Sequence, residues 1–341
     1  MDNILVLTHV DESGALSRAS LESVAAGVEL SAAIGATLAV GVVAAELSAD
    51  IPAQLAGLNA RVLAATAAEL AEPRFASDAA ACEALCRHAS ATIVLAPGSS
   101  RFTRVLPAVA HRLGGVTDTH ITALTGGTQV EATRWYYRQR VEAVITRTAR
   151  PWFLLLDAGT RTPYAAKGTA PAIEAVALAM PALRTQVLGI KAPKQDEQTI
   201  RPDAKLLFVA GAGWTKKQAD GQVHAAEAEQ CILGFLKVAD SSLGSSKSLV
   251  DQSGENQAVL KFMSHLNQIG QTGATPRHAK GLSTCCHGEE PHVVGWRFVN
   301  ERRAINLDAN CGWARGKADV VYIADAFAVM QRVNALLSEK K

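Results

Sequence analysis

Short, largely apolar runs alternate with helix-length segments through the first half of the chain, and this rhythm constrains the fold more than any other feature. Ile4–Val10, Thr37–Val43 and Ala91–Ala96 are too short to be helices and too continuously apolar for strands with one wet face. They read as strands buried on both sides. Between and after them, Ser20–Ile34 places Leu21, Val24, Ala25, Val28 and Ala32 at helical spacing, and Ser77–His88 and Phe102–Leu113 read as helices too. The last stops at Gly114-Gly115, a helix-ending signal. Strand–helix–strand alternation of this kind implies a parallel sheet with helices on both faces.

The character changes at Thr117. Ile121–Leu124, Gln129–Trp135, Val141–Thr146 and Trp152–Leu156 are strand-like and separated by turn-prone or charged residues, and they read as an extension with antiparallel strands. A polar stretch with two prolines, Gly189–Asp203, is the linker candidate. A second α/β unit then begins at Lys205–Val209, with a helix over His224–Val238 and further short strands at Leu282–Cys286, Ala304–Asn306 and Val320–Ile323. The expected organisation is an N-terminal α/β domain over 1–190, a linker over 191–203 and a doubly wound α/β domain over 204–341, in keeping with about 150 residues per domain.

Composition narrows the function. Lys and Arg number 34 against 32 Asp and Glu, so the net charge of +2 is too balanced for an electrostatic nucleic-acid binder. Only 5% of residues are aromatic, which makes base-stacking surfaces poor candidates. The most apolar stretch, Ala32–Ala45, is interrupted by Gly35, Thr37 and Gly41 and falls short of the roughly 20 residues a spanning helix needs. Met1-Asp2-Asn3 lacks a basic leader region, and the six cysteines have no disulfide-framework spacing, so a cytoplasmic protein with reduced thiols is expected. Cys285-Cys286-His287 with His292 raises the question of a metal, but adjacent cysteines chelate one ion poorly and none is expected.

The chemistry-bearing residues fall in the second unit. Gly244-Ser245-Ser246-Lys247-Ser248-Leu249-Val250-Asp251 is followed by Gly270-Gln271-Thr272-Gly273, then Gly288, His292 and Gly295, then Ala304-Ile305-Asn306-Leu307-Asp308, and finally Ala318-Asp319 and Ala324-Asp325-Ala326-Phe327. In this order and spacing the chain resembles the alpha subunit of electron transfer flavoproteins, the FixB family, with its G-A-S-R-x-x-V-D, GQTG, G-I-S-G-A-I-Q-H, A-I-N-x-D and A-D-x-x-I-V-x-D-L-F segments. The first half is similar as well. Ala96-Pro97-Gly98-Ser99-Ser100, Leu106-Pro107 and Arg112-Leu113-Gly114 follow the family's L-P-R-L-A-x-R-L-G, and Thr117-Asp118 its T/S-D. Arg201-Pro202-Asp203 matches the family's R-P-D/E before the second domain.

The resemblance implies an electron carrier rather than an enzyme with its own substrate. It would hold one FAD in the second domain, pair with a beta subunit as a heterodimer, and pass electrons from a donor dehydrogenase to a membrane quinone oxidoreductase without itself inserting into the membrane. It implies flavin-binding roles for Ser246, Lys247, Gly270, Gln271, Thr272, Gly273, Gly288, His292, Asn306 and Asp325. Gly270 and Gly273 would bracket a turn where backbone approaches the cofactor. Thr272 would face the flavin N5, Gln271 the ribityl chain, Ser246 and Lys247 the phosphates and ring, and Asn306 and Asp325 the adenosine.

Departures point to a second reading. The family's phosphate-holding segment is here Cys285-Cys286-His287-Gly288-Glu289-Glu290-Pro291-His292, with two carboxylates where a helix N-terminus should attract an anion. The arginine of the family's G-G-R-G is absent from Gly211-Ala212-Gly213-Trp214, which reads equally as an ordinary strand-to-helix turn, and Lys216 and Lys217 are the nearby cations. Lys247 stands where the family has arginine and lacks its bidentate fork. The alternative is a structural subunit of a dehydrogenase complex with a decayed flavin site. A nucleotide-binding regulator built on the first domain is disfavoured, because Pro97-Gly98-Ser99-Ser100 carries no phosphate-binding lysine.

Overall fold

The structure is a computed structural model that describes residues 2–11, 13–136, 141–189, 200–201, 204–251, 260–270, 278–284 and 299–339. The chain divides into two compact units, Met1–Lys191 and Ala192–Lys341. Most of the expected linker lies outside the described residues.

In the first unit, strands β1 (Asn3–His9), β2 (Thr37–Ala44), β3 (Arg61–Thr66) and β4 (Ile93–Pro97) alternate with helices α1 (Arg18–Ile34), α2 (Asp50–Gln54), α3 (Phe75–His88) and α4 (Ser100–Arg112). Strands β5 (Val116–Thr125), β6 (Glu131–Tyr136), β7 (Val141–Ile145), β8 (Trp152–Leu156) and β9 (Ile173–Ala175) complete a nine-stranded sheet in the order β7-β6-β5-β8-β4-β1-β2-β3-β9. All neighbours pair in parallel except β5 with β6 and β6 with β7, which are antiparallel.

The alternation of side chains along the strands explains why both faces are covered. Leu5 and Leu7 of β1 join a core with α3 and α4, through Ala79, Leu85, Phe102 and Leu106. Ile4 and Val6 face the other way, into a core with Val24 and Leu30 of α1. Helix α1 starts where Ser17 Oγ accepts the Ser20 N–H at 3.2 Å and ends at Gly35, whose φ of 64° is the left-handed conformation glycine adopts without strain.

Trp152–Leu156 corrects the sequence reading. It is not part of the antiparallel extension. As β8 it is buried at every position and pairs in parallel with both β4 and β5, so it fills the middle of the sheet. The antiparallel portion is the β5–β6–β7 meander at the sheet edge. Strands β3 and β9 were not expected.

Glu22 ties α1 to the loop after β8. Its carboxylate is 4% exposed, accepts the Gly159 N–H at 2.6 Å and takes an ion pair from Arg18 at 2.9 Å. Glu22→Gln removes the charge from both contacts and is expected to cost about 1–2 kcal/mol, the worth of charge-assisted hydrogen bonds in a sheltered site. Urea unfolding and amide exchange at Gly159 check this. An unchanged exchange rate would mean that the loop is held by other means.

In the second unit, β10 (Leu206–Ala210), β11 (Ser242–Ser245), β12 (His278–Thr284), β13 (Val299–Asn306) and β14 (Val320–Ile323) form a wholly parallel sheet ordered β11-β10-β12-β13-β14. Among the described residues the helices are α5 (Ala225–Ala239), α6 (Lys247–Asp251), α7 (Gly312–Lys317) and α8 (Ala326–Ser338). Phe208 and Ala210 of β10 pack towards α5 and α8, while Leu207 and Val209 pack with Cys311 and Ala314 on the opposite face. Both units are therefore α/β, and the second is doubly wound, as expected. Counted from its own first strand, its order is second, first, third, fourth, fifth. This places a topological switch point between β10 and β12, and open parallel sheets bind ligands beyond the carboxyl ends of their strands at such points.

Candidate functional site

The carboxyl edge of the second sheet gathers the polar groups. Strand β10 runs into Gly211 and a 3-10 turn, Ala212–Thr215. Gly211 N–H donates to Thr284 O at 2.9 Å, and the buried indole of Trp214 donates through Nε1 to Thr284 Oγ1 at 2.8 Å. Thr284 Oγ1 in turn donates to Val209 O at 3.2 Å. The ends of β10 and β12, which flank the switch point, are thus locked to each other. The Trp214 ring also lies 4.6 Å from that of Phe327, which joins the turn to α8.

Beyond β11, Ser246 N–H donates to Ala210 O at 2.9 Å, and Ser246 Oγ accepts the Leu249 N–H at 3.3 Å, so this serine opens α6. Lys247 projects to solvent at 58% exposure with an ion pair to Asp251 at 3.6 Å, too loose and wet to immobilise it. Ser245 Oγ is buried without a hydrogen-bond partner among the described residues. Ile269 N–H donates to Ser245 O at 3.1 Å, which brings Gly270 to the same edge. Gly270 adopts a φ of 73°, where a side chain would be strained. Gly244 allows this approach, since a Cβ there would stand 2.6 Å from Ile269 Cγ2.

At the other end of the edge, Asn306 closes β13. It is buried, and its Oδ1 accepts the Asp308 N–H at 3.0 Å. Asp325 follows β14, and its Oδ1 accepts the Phe327 N–H at 3.1 Å to cap α8. Beside it a cavity of about 330 Å³ is lined by Asp325, Phe327, Leu307, Asp220, His224 and Glu227. The Gln222 N–H and the His224 imidazole hold the Asp220 carboxyl below its usual range. The His224 ring lies 2.7 Å from Asp220 through Nε2 and 3.3 Å from Glu227 through Nδ1.

Ser246, Lys247, Gly270, Asn306 and Asp325 therefore all lie on one edge of one sheet, at the ends of or just beyond its strands. Gln271, Thr272, Gly273, Gly288 and His292 lie outside the described residues, as do Cys285, Cys286, Glu289 and Glu290. Sequence reasoning missed Ser245, the Trp214–Thr284 lock and the Asp220–His224–Glu227 wall. Only the last left a local trace, a His with acidic residues four before and three after it on a helix start.

The first unit has its own switch point, between β4 and β1. Ser99 Oγ, which caps α4, is 3.1 Å from His9 Nε2, and the His9 ring packs edge-on against Phe102. Burial lowers the His9 pKa, against the pull of the Val10 carbonyl.

A family model for the electron transfer flavoprotein domain matches residues 4–181, more than half of the chain. The chain belongs to that family. Membership brings an electron-transfer role in place of substrate turnover and points to a flavin. The matched residues fall in the first unit. No curated protein matches the chain. Among the described residues no helix is long and apolar enough to cross a membrane, and no cluster of His, Cys, Asp or Glu has the arrangement of a metal site.

A flavin dinucleotide suits the residues described here. From β11 to β14 there are four strand spacings, about 19 Å at ~4.8 Å each, a span that suits an extended cofactor. A cation and two serine hydroxyls, one without a partner among the described residues, sit at one end, and a cavity with a carboxylate acceptor and an aromatic wall at the other. Cys82, Cys86 and Cys231 are buried free thiols, and burial pushes the Cys82 and Cys86 thiols well up, so those two are poor nucleophiles.

Proposed function

We propose that the chain is the alpha subunit of an electron transfer flavoprotein, binding one FAD along the carboxyl edge of its second unit. The observation that carries this reading is the coincidence of two independent signals. Residues picked out by an ordered series of motifs, Ser246, Lys247, Gly270, Asn306 and Asp325, share the strand-end edge that a doubly wound sheet offers to a dinucleotide. When bound, the flavin supplies the one- and two-electron chemistry, and the protein needs no acid, base or nucleophile of its own.

The chain's residues would bind and orient. Lys247 offsets phosphate charge, Ser245 and Ser246 offer hydroxyls, and Asp325 and Asn306 receive the adenosine. Gly270 introduces the Gln271-Thr272-Gly273 segment, in which Gln271 holds the ribityl chain and Thr272 addresses the ring. Gly288 and His292 belong to the pyrophosphate segment. The heterodimer with a beta subunit, a donor dehydrogenase, a quinone oxidoreductase as acceptor and a cytoplasmic setting belong to the same proposal.

Lys247→Gln is expected to weaken FAD binding about tenfold, as loss of one charge-assisted contact does, and to leave unfolding unchanged because the side chain is exposed. The gap should narrow at high salt. Reconstitution of the apoprotein with FAD at two salt concentrations measures both effects. Equal affinity for the two proteins would remove Lys247 from the site.

A second reading, a structural subunit with a decayed site, is favoured by Glu289 and Glu290 and by the lack of the family's arginine near Trp214. Two unit charges about 4 Å apart repel by about 4 kcal/mol at an effective dielectric near 20. The visible absorption spectrum of the chain purified with its partner separates the readings: flavin bands support the carrier, and a colourless complex supports the structural subunit.

A further inference from the structure

We propose that the first unit carries a separate binding site for a small organic dianion with an apolar body, in the groove between α3 and the extended segment that follows β9. The groove encloses a cavity of about 690 Å³, within the usual range for small-molecule sites. One wall is a single face of α3, with Ala76, Ala80, Glu83, Ala84 and Arg87 recurring at helical spacing. The facing wall is the segment 177–185. Val176, Leu178 and Met180 of this strand-like stretch turn inward onto the core, which leaves Ala177 and Ala179 on the groove side.

The alanines keep the floor open and apolar, and at its end the Phe75 ring remains 40% exposed. Larger side chains on this face would have filled the space.

Charge identifies the ligand. Among the described residues three guanidinium groups line the cavity, Arg87, Arg112 and Arg184, against one carboxylate, Glu83. Arg87 and Arg112 both reach Glu83, at 2.8 and 3.3 Å, and the Arg87 contact holds that carboxyl below its usual range. Arg184 makes no hydrogen bond or ion pair among the described residues. The lining thus keeps two positive charges in excess around an apolar floor. A monoanion leaves one unmatched, and a neutral apolar molecule leaves both. Glu83 acts as an internal competitor that holds two of the arginines until an anion replaces it.

Fluorescence anisotropy of the full chain at low salt, with naphthalene-2,6-dicarboxylate as the probe, tests this. The dicarboxylate is expected to bind at least tenfold more tightly than 2-naphthoate, and both more tightly than 2-naphthalenemethanol. Arg184→Gln should remove most of the preference for the dianion. Glu83→Gln, which frees Arg87 and Arg112, should tighten dicarboxylate binding at least threefold. A merely structural role for this glutamate predicts the opposite sign. Ala80→Phe, which fills the floor, should abolish binding of both acids. Equal affinity for the two acids, an Arg184→Gln protein indistinguishable from the parent, or full binding by a folded Ala80→Phe protein would each overturn the proposal.

Discussion

Asp118→Ala is expected to destabilise the first unit by about 3–5 kcal/mol, the cost of leaving buried charge without its partner. The Asp118 side chain, on β5, is only 3% exposed. It accepts the Trp152 Nε1–H at 2.9 Å, Arg134 Nη1–H at 3.0 Å, and Arg147 through Nε and Nη2, both at 3.0 Å. Four donors from β6, β8 and the residues after β7 thus converge on one carboxylate, which joins the parallel core to the antiparallel edge. Removing it leaves the Arg134 guanidinium, 15% exposed, and a buried indole N–H without their acceptor, while Arg147, 44% exposed, turns to water.

The same group shapes the response to acid. Burial raises its pKa, but the Arg147 hydrogen bonds, the Trp152 N–H and the charges of Arg147 and Arg134 outweigh burial and hold it below the usual carboxylate value. A carboxyl depressed in the folded state stabilises fully above its unfolded value of ~3.9, and that contribution is lost as pH falls through the lower folded value. Asp118→Asn should therefore flatten the acid limb of a stability–pH profile while keeping the side-chain shape. Urea midpoints from pH 2 to 7, read by amide exchange in β5 and β8, test both variants. A loss below about 1 kcal/mol with an unchanged acid limb would mean that the arginines find water or other partners at no cost.

Trp214→Ala is the second large effect expected, and it falls on the candidate site. The indole is fully buried and packed on Phe327, and truncating such a residue typically costs about 3–5 kcal/mol. The loss would also unfasten Gly211 and Thr284 at the switch point, so flavin content should fall with stability. Trp214→Phe separates the two roles. It keeps most of the packing and gives up the Nε1 hydrogen bond to Thr284, worth about 1 kcal/mol. Melting temperature and flavin-to-protein absorbance ratio, measured on both variants, decide the matter. Full flavin occupancy in a folded Trp214→Ala protein would place the cofactor away from this turn.

What could be read from the sequence follows from how local each signal is. β1, β2 and β4 were visible because burial on both faces writes a continuous apolar run. β3 was hidden, since Arg61–Thr66 leads into the alanine-rich Ala64–Ala71 stretch, which also suits a helix. β9 is only three residues long, too short for any period to show. β8 was visible as a strand but misplaced, because its parallel partners are β4 and β5 while its chain neighbour is the antiparallel β7. In the candidate site, Asn306 and Asp325 were legible as polar residues at or just past the ends of strands. The Trp214–Thr284 lock spans 70 residues, and no local pattern announces a contact of that range.

The place of β8 also bears on how the protein is made. Synthesis proceeds from the N-terminus, so β4 and β5 emerge from the ribosome before the strand that must lie between them. Until Leu156 is out, β4 has β1 on one side and nothing on the other, and its backbone groups form an adhesive border of the kind that recruits foreign strands. The β5–β6–β7 meander can pair within itself in that interval, leaving a space one strand wide. The five residues Trp152–Leu156, apolar throughout, then act as the keystone that closes the sheet. Their late arrival is a cost in folding speed inherent to parallel topology.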